Sequence, residues 1–295
     1  MQLDATAIWK KAFDMAGSTH ETDPSLPRSG YDPDFLGTPV GLPSLDPSIQ
    51  DDALLWNGKE TIPYTHFSLS MSQTRRFARW VAWNIDGASI KLISRTNLTF
   101  TKDPRLPAKT QIGNELYDDN RLDRGHIARR SDLLWGTMSE AQQANTDSFR
   151  YTNITPQMDD FNQSSKQGVW GRLENALFED VDVQNLRISV FGGPIFHADD
   201  REYRGVALPA EYWKLLVFQE QGVVKSRAFV LTQNLEHLRE IPMLDEFRVY
   251  QITVAELEER TTLHFPAIIQ RTGALTSVRS LGERSPLDGA GDIVW

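Results

Sequence analysis

Apolar and polar positions recur with two different periods along this chain, and these periods predict both helices and strands. Helical spacing near the start predicts a short amphipathic helix with outward lysines, built on Ala5, Ile8, Trp9, Phe13 and Met15. The same spacing returns at 141–149, at 169–177 and in a short segment at 254–261. Runs rich in β-branched and aromatic residues predict strands at 67–71, 91–94, 186–191, 213–218, 227–231 and 248–252. Residues 76–85 fit either a strand or a short helix that leads into one. The mixture predicts an α+β domain.

Proline and glycine divide the chain into three parts. Seven of the 15 prolines lie between residues 20 and 63, which excludes long helices and central strands from that stretch. We expect residues 1–60 to form the N-terminal helix and an acidic, proline-rich arm. The arm either wraps on the body or is partly mobile, and its apolar anchors favour wrapping; they are Tyr31, Phe35, Leu36, Leu42, Leu54 and Trp56. Residues 61–279 are expected to form one domain, and residues 280–295 a loose tail.

Composition narrows the chemistry further. The 295 residues include 40% hydrophobic residues and no cysteine, which is typical of a globular protein without disulfides, thiol nucleophiles or cysteine-bound metals. A metal would have to use His, Asp, Glu, Asn or water as ligands. No apolar run has the length of a secretory signal core or a membrane span, so we expect no membrane association and, by default, a cytoplasmic location.

The distribution of charge changes the meaning of its total. A net charge of −9 argues against a nucleic-acid partner, whose affinity depends on basic residues at phosphates. Residues 1–60 hold four bases and ten acids, however, while residues 75–130 hold twelve bases and six acids. An acidic chain therefore contains a basic region. Taken singly its arginines could be ordinary solvated residues, but together they are a plausible phosphate footprint.

Four short motifs carry the candidate chemistry. They are DRGH at 123–126, NITPQ at 153–157, FNQ at 161–163 and WGRLE at 170–174. Hydrolysis of a phosphodiester needs a base that activates water and a cation opposite the developing charge, and His and Arg suit these tasks. The downstream amide and carboxylate oxygens suit a Mg²⁺ that keeps several waters. Taken alone, each motif could equally be a surface turn or a helix face.

In this order and local spacing, the motifs resemble the DNA/RNA non-specific endonucleases of the ββα-metal superfamily, the group that includes endonuclease G. The resemblance extends over roughly residues 60–270. It implies a central, mostly antiparallel sheet with flanking helices and a ββα-metal element, in which the strand with the DRGH motif faces the helix with Glu174. It also implies metal-dependent hydrolysis of DNA and RNA with little sequence preference, leaving 5′-phosphate and 3′-hydroxyl ends.

The resemblance also implies roles for individual residues. His126 would be the general base, and Asn162 the one direct protein ligand of a hydrated Mg²⁺, with Mn²⁺ as a substitute. Asn153 and Glu174 would contact the metal-bound waters. Asp123 and Arg124 would orient the strand, and Arg95 would stand opposite the pentacovalent phosphate, with Arg105 as its competitor. Where many members of the family have small or apolar residues, this chain instead has Arg129 and Arg130, which together with Arg121 are expected to add positive charge for nucleic-acid binding.

Other interpretations remain open at this point. A structure-specific nuclease of the same superfamily, or a catalytically silent module that binds nucleic acid, would carry many of the same residues. The contrast between the acidic arm and the basic region suggests that residues 1–60 screen the site until a regulatory partner or a protease removes them. The sequence leaves the oligomeric state undecided.

Overall fold

The computed structural model describes residues 28–95, 98–158, 187–235, 248–273, 286–287 and 292–294. Its strands are β1 (Ser44–Leu45), β2 (Ile62–Tyr64), β3 (Phe67–Met71), β4 (Ala78–Asp86), β5 (Leu122–His126), β6 (Ile154–Met158), β7 (Arg187–Ile195), β8 (Arg201–Tyr203), β9 (Val206–Leu208), β10 (Glu211–Glu220), β11 (Val223–Thr232), β12 (Arg248–Ile252) and β13 (Leu263–His264). Its α-helices are α1 (Met138–Ser148), α2 (Val254–Thr261) and α3 (Ala267–Arg271). None of these helices is long and apolar enough to cross a membrane.

A seven-stranded sheet in the order β12-β11-β10-β7-β4-β3-β2 forms the centre of the molecule, and each of its neighbouring strands pairs antiparallel. The predicted α+β class with a mostly antiparallel sheet is therefore confirmed. The predicted helices at 141–149 and 254–261 are also present. The strand predicted at 91–94 is wrong, because that segment runs without regular structure. The helices predicted at the N-terminus and at 169–177 lie outside the described residues.

Alternate residues of the central strands pack on opposite faces of the sheet, which produces two hydrophobic cores. In β4, Val81 and Trp83 face one core while Trp80 and Ala82 face the other. The first core also receives the β5–β6 hairpin, and the second receives α2 and α3. Strands buried on both faces read as nearly continuous apolar runs, as β4 and β10 do.

Residues 28–60 wrap on the sheet as an extended arm. Tyr31 and Phe35 are buried in the second core, and the Tyr31 hydroxyl donates to the Val40 carbonyl at 2.8 Å. The arm is thus part of the folded body.

The described part of the C-terminal tail also docks, since Ile293 is buried in the first core and Val294 exchanges two hydrogen bonds with the Gln251 side chain. For these described residues, the expectation of a loose tail is wrong.

Helix α1 is capped at its start and is tied to the arm and to the segment between β2 and β3 near its end. Thr137 begins the helix with a capping box, in which its hydroxyl accepts from the Glu140 amide and the Glu140 carboxylate accepts from the Thr137 amide. Near the other end, Asp147 is fully buried and accepts hydrogen bonds from Arg28, from Gln143 and from the amide and hydroxyl of Thr65. A buried carboxylate is stable in a fold only when it is paired in this way.

The β5–β6 hairpin is fastened to the large sheet through backbone groups of β6. The Gln233 side chain donates to the Pro156 carbonyl and accepts from the Met158 amide, and the Tyr212 hydroxyl also donates to the Pro156 carbonyl. Within the hairpin, the Gln157 side chain lies directly over Gly125. A Cβ at Gly125 would stand 2.1 Å from Gln157 Cδ, so a larger residue at this position of the DRGH motif requires the Gln157 side chain to move.

The contact between Gly125 and Gln157 leads to a test by double substitution. Gly125 does not adopt a positive φ, so Gly125→Ala acts through the clash alone. We expect Gly125→Ala to lower the free energy of unfolding by about 1–3 kcal/mol because it overpacks the hairpin. In a Gln157→Ala background the same substitution should cost well under about 1 kcal/mol, since the obstructing side chain is gone. Urea unfolding of the four proteins measures both values.

The matched control is Gly41→Ala, because a Cβ at Gly41 would meet its nearest neighbour, Pro266, at an ordinary 3.5 Å. It should leave the unfolding midpoint nearly unchanged. An equal cost of Gly125→Ala with and without the Gln157 side chain would contradict this account of the glycine.

Candidate active site

His126 is the last residue of β5 and lies in an aromatic surrounding. Its ring centroid is 5.6 Å from that of Phe100 and 5.3 Å from that of Phe149, which meets it edge-on. The residue keeps part of its surface exposed, but its Nε2 is buried. Within the described parts of the chain, no hydrogen-bond partner reaches this nitrogen. A buried polar atom without a partner is rare in proteins and calls for an explanation.

The surroundings of His126 keep its imidazole neutral. Burial, followed by the charges of Arg95 and Arg130, lowers the pKa of His126 from 6.5 to about 3. Both causes act in the same direction, since desolvation and nearby cations each disfavour a protonated ring. At neutral pH the imidazole therefore has a free lone pair and can accept a proton.

Arg95 lies on the His126 side of the site, whereas Arg105 is engaged elsewhere. The Arg95 guanidinium carbon is 6.0 Å from the centre of the Phe149 ring, the same ring that packs against His126. Arg105 instead pairs with Asp103, donates to the Pro63 carbonyl and lies over an aromatic ring at 4.4 Å. Of the two arginines that the sequence left in competition, only Arg95 influences the charge state of His126.

Asn153 joins the start of the segment that connects β5 to β6 to the end of α1 within it. Its side chain is fully buried; its Oδ1 accepts from the Ala128 amide at 2.9 Å, and its Nδ2 donates to the carbonyls of Ala128 and Ser148. Its own carbonyl accepts from the Ile127 amide. Both Nδ2 hydrogens are thus used by backbone groups. These contacts hold the segment just after His126 against the C-terminal end of α1.

The other arginines that the sequence predicts for the site lie in or next to β5. Arg124 is half-buried and its Nε and Nη2 donate to Asn114. Arg130 donates from Nε to Asn145 and from Nη2 to the Ile93 carbonyl, and burial together with the Arg95 charge lowers the pKa of Arg130 to about 10. Arg121 and Arg129 are partly exposed at the two ends of this segment, and Asp123 is partly exposed opposite Gln157.

The described residues do not complete a metal site. They contain no group of three or more His, Asp or Glu side chains that could hold a metal ion. The groups that influence His126 through their charge are cationic, so this part of the site repels a cation unless oxygen ligands are added. Asn162 and Glu174, which the sequence predicts as ligand and water-contacting residue, lie outside the described residues.

Sequence reasoning missed several contacts that shape the site. Phe149 and Tyr151 read only as apolar residues of a helix and its flank, and Asn114 lies in a loop without any periodic signal. Gln157 belongs to a quoted motif, but nothing in the sequence shows that it covers Gly125. These contacts join segments that are distant along the chain.

Comparisons with known proteins place the chain in one family. The DNA/RNA non-specific endonuclease family matches residues 46–271. A nuclease of Serratia marcescens is 30% identical over 67% of this chain and 71% of its own length. An uncharacterized protein of Sinorhizobium fredii, y4fB, is 34% identical over 84% of this chain, but this chain spans only 40% of its length. Mitochondrial endonuclease G of Bos taurus is 27% identical over 63% of this chain and 62% of its own length.

The fold itself has a solved counterpart. A chain in the crystal structure of the EndoG/EndoGI complex superposes with a TM-score of 0.55 at 18% identity, covering 72% of this chain and 86% of that one. The family match covers most of the central sheet, the β5–β6 hairpin and helix α1. The motifs around His126, the antiparallel sheet behind them and this match together show that the chain belongs to the DNA/RNA non-specific endonuclease family.

Proposed function

We propose that this protein is a metal-dependent endonuclease that hydrolyses phosphodiester bonds of DNA and RNA with little sequence preference and leaves 5′-phosphate and 3′-hydroxyl ends. The observation that carries the proposal is the neutral imidazole of His126, whose buried Nε2 has no partner within the described residues and whose nearby cations are Arg95 and Arg130. A base next to fixed positive charge is what attack of water on a phosphodiester requires. Family membership supports the same reaction.

The chain's own residues would divide the reaction as follows. His126 accepts the proton of the attacking water at Nε2, which makes that water a stronger nucleophile. Arg95 lies opposite the charge that builds up on the phosphate oxygens as the new P–O bond forms and the bond to the 3′ oxygen breaks. Arg124 and Asp123 orient the strand. Phe100 and Phe149 pack against the imidazole and hold its ring in place.

A divalent metal, Mg²⁺ or Mn²⁺, would be held by Asn162, with Glu174 and Asn153 contacting its bound waters. When bound, such an ion supplies positive charge to the phosphate and to the departing oxygen. Asn153 has one acceptor lone pair left for this purpose, because its Oδ1 has two lone pairs and accepts one hydrogen bond, from the Ala128 amide. Arg121, Arg129 and Arg130 would contact the phosphates of the nucleic acid. Phosphate contacts do not distinguish one base from another, which agrees with low sequence preference.

A regulatory role of the N-terminal arm remains part of the proposal. The structure limits where a protease could act, since residues from Tyr31 onward contribute to the second core and Arg28 binds the buried Asp147. Removal of all residues up to 56 would dismantle that core. A cut before Arg28 would spare it.

Replacement of His126 tests its role as the general base. His126→Ala should lower the rate of plasmid nicking by at least about 100-fold, the usual contribution of a general base, while the protein remains folded. EDTA should abolish nicking by the wild-type protein, and both plasmid DNA and RNA should be cut. His264→Ala is the matched control, because its ring is 54% exposed and contacts only Asp46 among the described residues.

Nicking by His126→Ala at the wild-type rate would contradict the mechanism. Metal-independent binding of DNA without any nicking would favour the silent binding module. Discrete fragments in place of a smear would favour a structure-specific nuclease.

The second prediction concerns the charge state of His126. In the metal-free protein, its imidazole NMR signals should show a neutral ring down to at least pH 5, since burial and two cations lower its pKa to about 3. Arg95→Met should raise this pKa, because removal of a nearby cation makes protonation easier. The exposed Arg271→Met is the control and should leave the titration unchanged. A wild-type His126 that titrates near 6.5 would contradict the account.

The third prediction concerns the arm. A chain that begins at Arg28 should keep the wild-type melting temperature, because the Arg28–Asp147 pair and the second core remain intact. If the preceding residues screen the basic site, this chain should nick plasmid DNA faster than the full-length protein. Equal rates for the two chains at matched folding would exclude screening by residues 1–27.

A further inference from the structure

Asn114 holds one side of Arg124 although it belongs to none of the motifs. It lies in the loop before β5, at the start of a short 3₁₀ turn, and its side chain is exposed. Its Oδ1 accepts from Arg124 Nη2 at 2.8 Å and from Arg124 Nε at 3.1 Å. The Tyr151 hydroxyl donates to the same oxygen and accepts from Arg124 Nε at 3.2 Å. One amide oxygen therefore receives three donors.

The faces of the Arg124 guanidinium are also fixed. Its central carbon lies 4.9 Å from the centre of the Tyr117 ring and 5.8 Å from that of Phe100. Asp118 stands 4.0 Å from Nη2. The named hydrogen bonds use only Nε and Nη2, and the side chain is still 27% exposed. Nη1 is thus the donor that this network leaves for a ligand.

The loop does not depend on the Asn114 side chain for its own shape. Glu115 Oε1 accepts from the Gly113 amide at 3.0 Å and from Lys102 Nζ at 3.2 Å. Arg204 Nη1 donates to the Glu115 carbonyl at 3.1 Å, and the Asn114 carbonyl accepts from the Tyr117 amide. The Asn114 carboxamide oxygen is therefore available to Arg124. An exposed amide whose oxygen accepts from both Nε and Nη2 of Arg124 orients that guanidinium.

We propose that Asn114 is a positioning residue, which fixes the Arg124 guanidinium before the substrate arrives so that Nη1 meets a backbone phosphate of the strand at His126. The inference rests on the proposed function, since it takes nucleic acid as the ligand of Arg124. Long arginine side chains lose rotamer freedom when they bind, and prior fixation removes part of that cost. Asn114 acts on affinity through Arg124 and takes no part in the chemical step.

The test is a double-mutant cycle on DNA affinity, which does not depend on cleavage. Fluorescence anisotropy of a labelled duplex in EDTA gives the Kd of the wild-type protein, Asn114→Ala, Arg124→Met and the double variant. Asn114→Ala should raise the Kd about tenfold, the usual effect of a lost hydrogen bond to a charged group. In the Arg124→Met background it should add less than about twofold, because the two residues act as one unit. In nicking assays, Asn114→Ala should raise KM relative to the wild-type protein and leave kcat within about twofold.

The salt dependence and a control separate positioning from general damage. Asn114→Ala should lower the slope of log Kd against log salt by up to about one phosphate contact, as Arg124→Met does. Gln50→Ala removes an exposed amide of another segment and should change neither Kd nor slope. Melting temperatures of all variants verify folding.

Two results would overturn the inference. One is an unchanged Kd in Asn114→Ala beside a raised Kd in Arg124→Met, which would leave the proposed function intact. The other is an undiminished effect of Asn114→Ala in the Arg124→Met background, which would mean that Asn114 acts independently of Arg124. Absence of nicking by the wild-type protein, with the affinity cycle as expected, would instead count against the proposed chemistry alone.

Discussion

The carboxamide of Asn153 is the contact on which the geometry of the site depends. It bonds to backbone groups of Ala128 on one side and Ser148 on the other, and so joins the end of β5 to the end of α1. The end of α1 is itself anchored through the buried Asp147 to Arg28 and Thr65. His126 is therefore fixed relative to the central sheet through two connected buried groups. Loss of either would leave a buried polar group without its partners, which is costly.

The charge state of His126 follows from where these contacts hold it. The end of β5 brings His126 under two aromatic rings and near two arginines, and these surroundings keep the imidazole neutral. The chain as a whole is acidic, yet Arg95 and Arg130 lie near the imidazole of His126, whose buried Nε2 has no partner within the described residues. A strongly negative total charge thus coexists with a locally attractive surface for phosphate, because potential depends on where charges lie.

The sequence was informative where the physics is local. Alternation and apolar runs indicated most strands of the sheet, and Pro and Gly indicated the wrapped arm, because these signals depend on a few neighbouring residues. The apolar residues Leu92 and Ile93 satisfy the strand pattern in the segment 91–94. In the structure Leu92 is 52% exposed, and the segment bonds instead to Arg130, before α1, and to Asn145 of α1. A short apolar run does not specify a pairing partner.

Part of the site could also be predicted from the sequence. The ordered motifs indicated His126 and its neighbours. The pairing of Arg105 with Asp103 and the position of Arg95 beside the Phe149 ring could not be predicted from spacing. Asn114, Tyr151 and the packing of Gln157 on Gly125 are contacts between distant segments, and spacing along one sequence does not reveal them.

The central claim is that His126 acts as a base, and chemical rescue tests it most directly. The cavity left by His126→Ala can be supplied with imidazole during single-turnover cleavage at several pH values. The account predicts that the restored rate rises with the concentration of neutral imidazole and therefore increases with pH at a fixed total concentration. A restored rate that follows the protonated imidazolium instead, and falls as the pH rises, would contradict it.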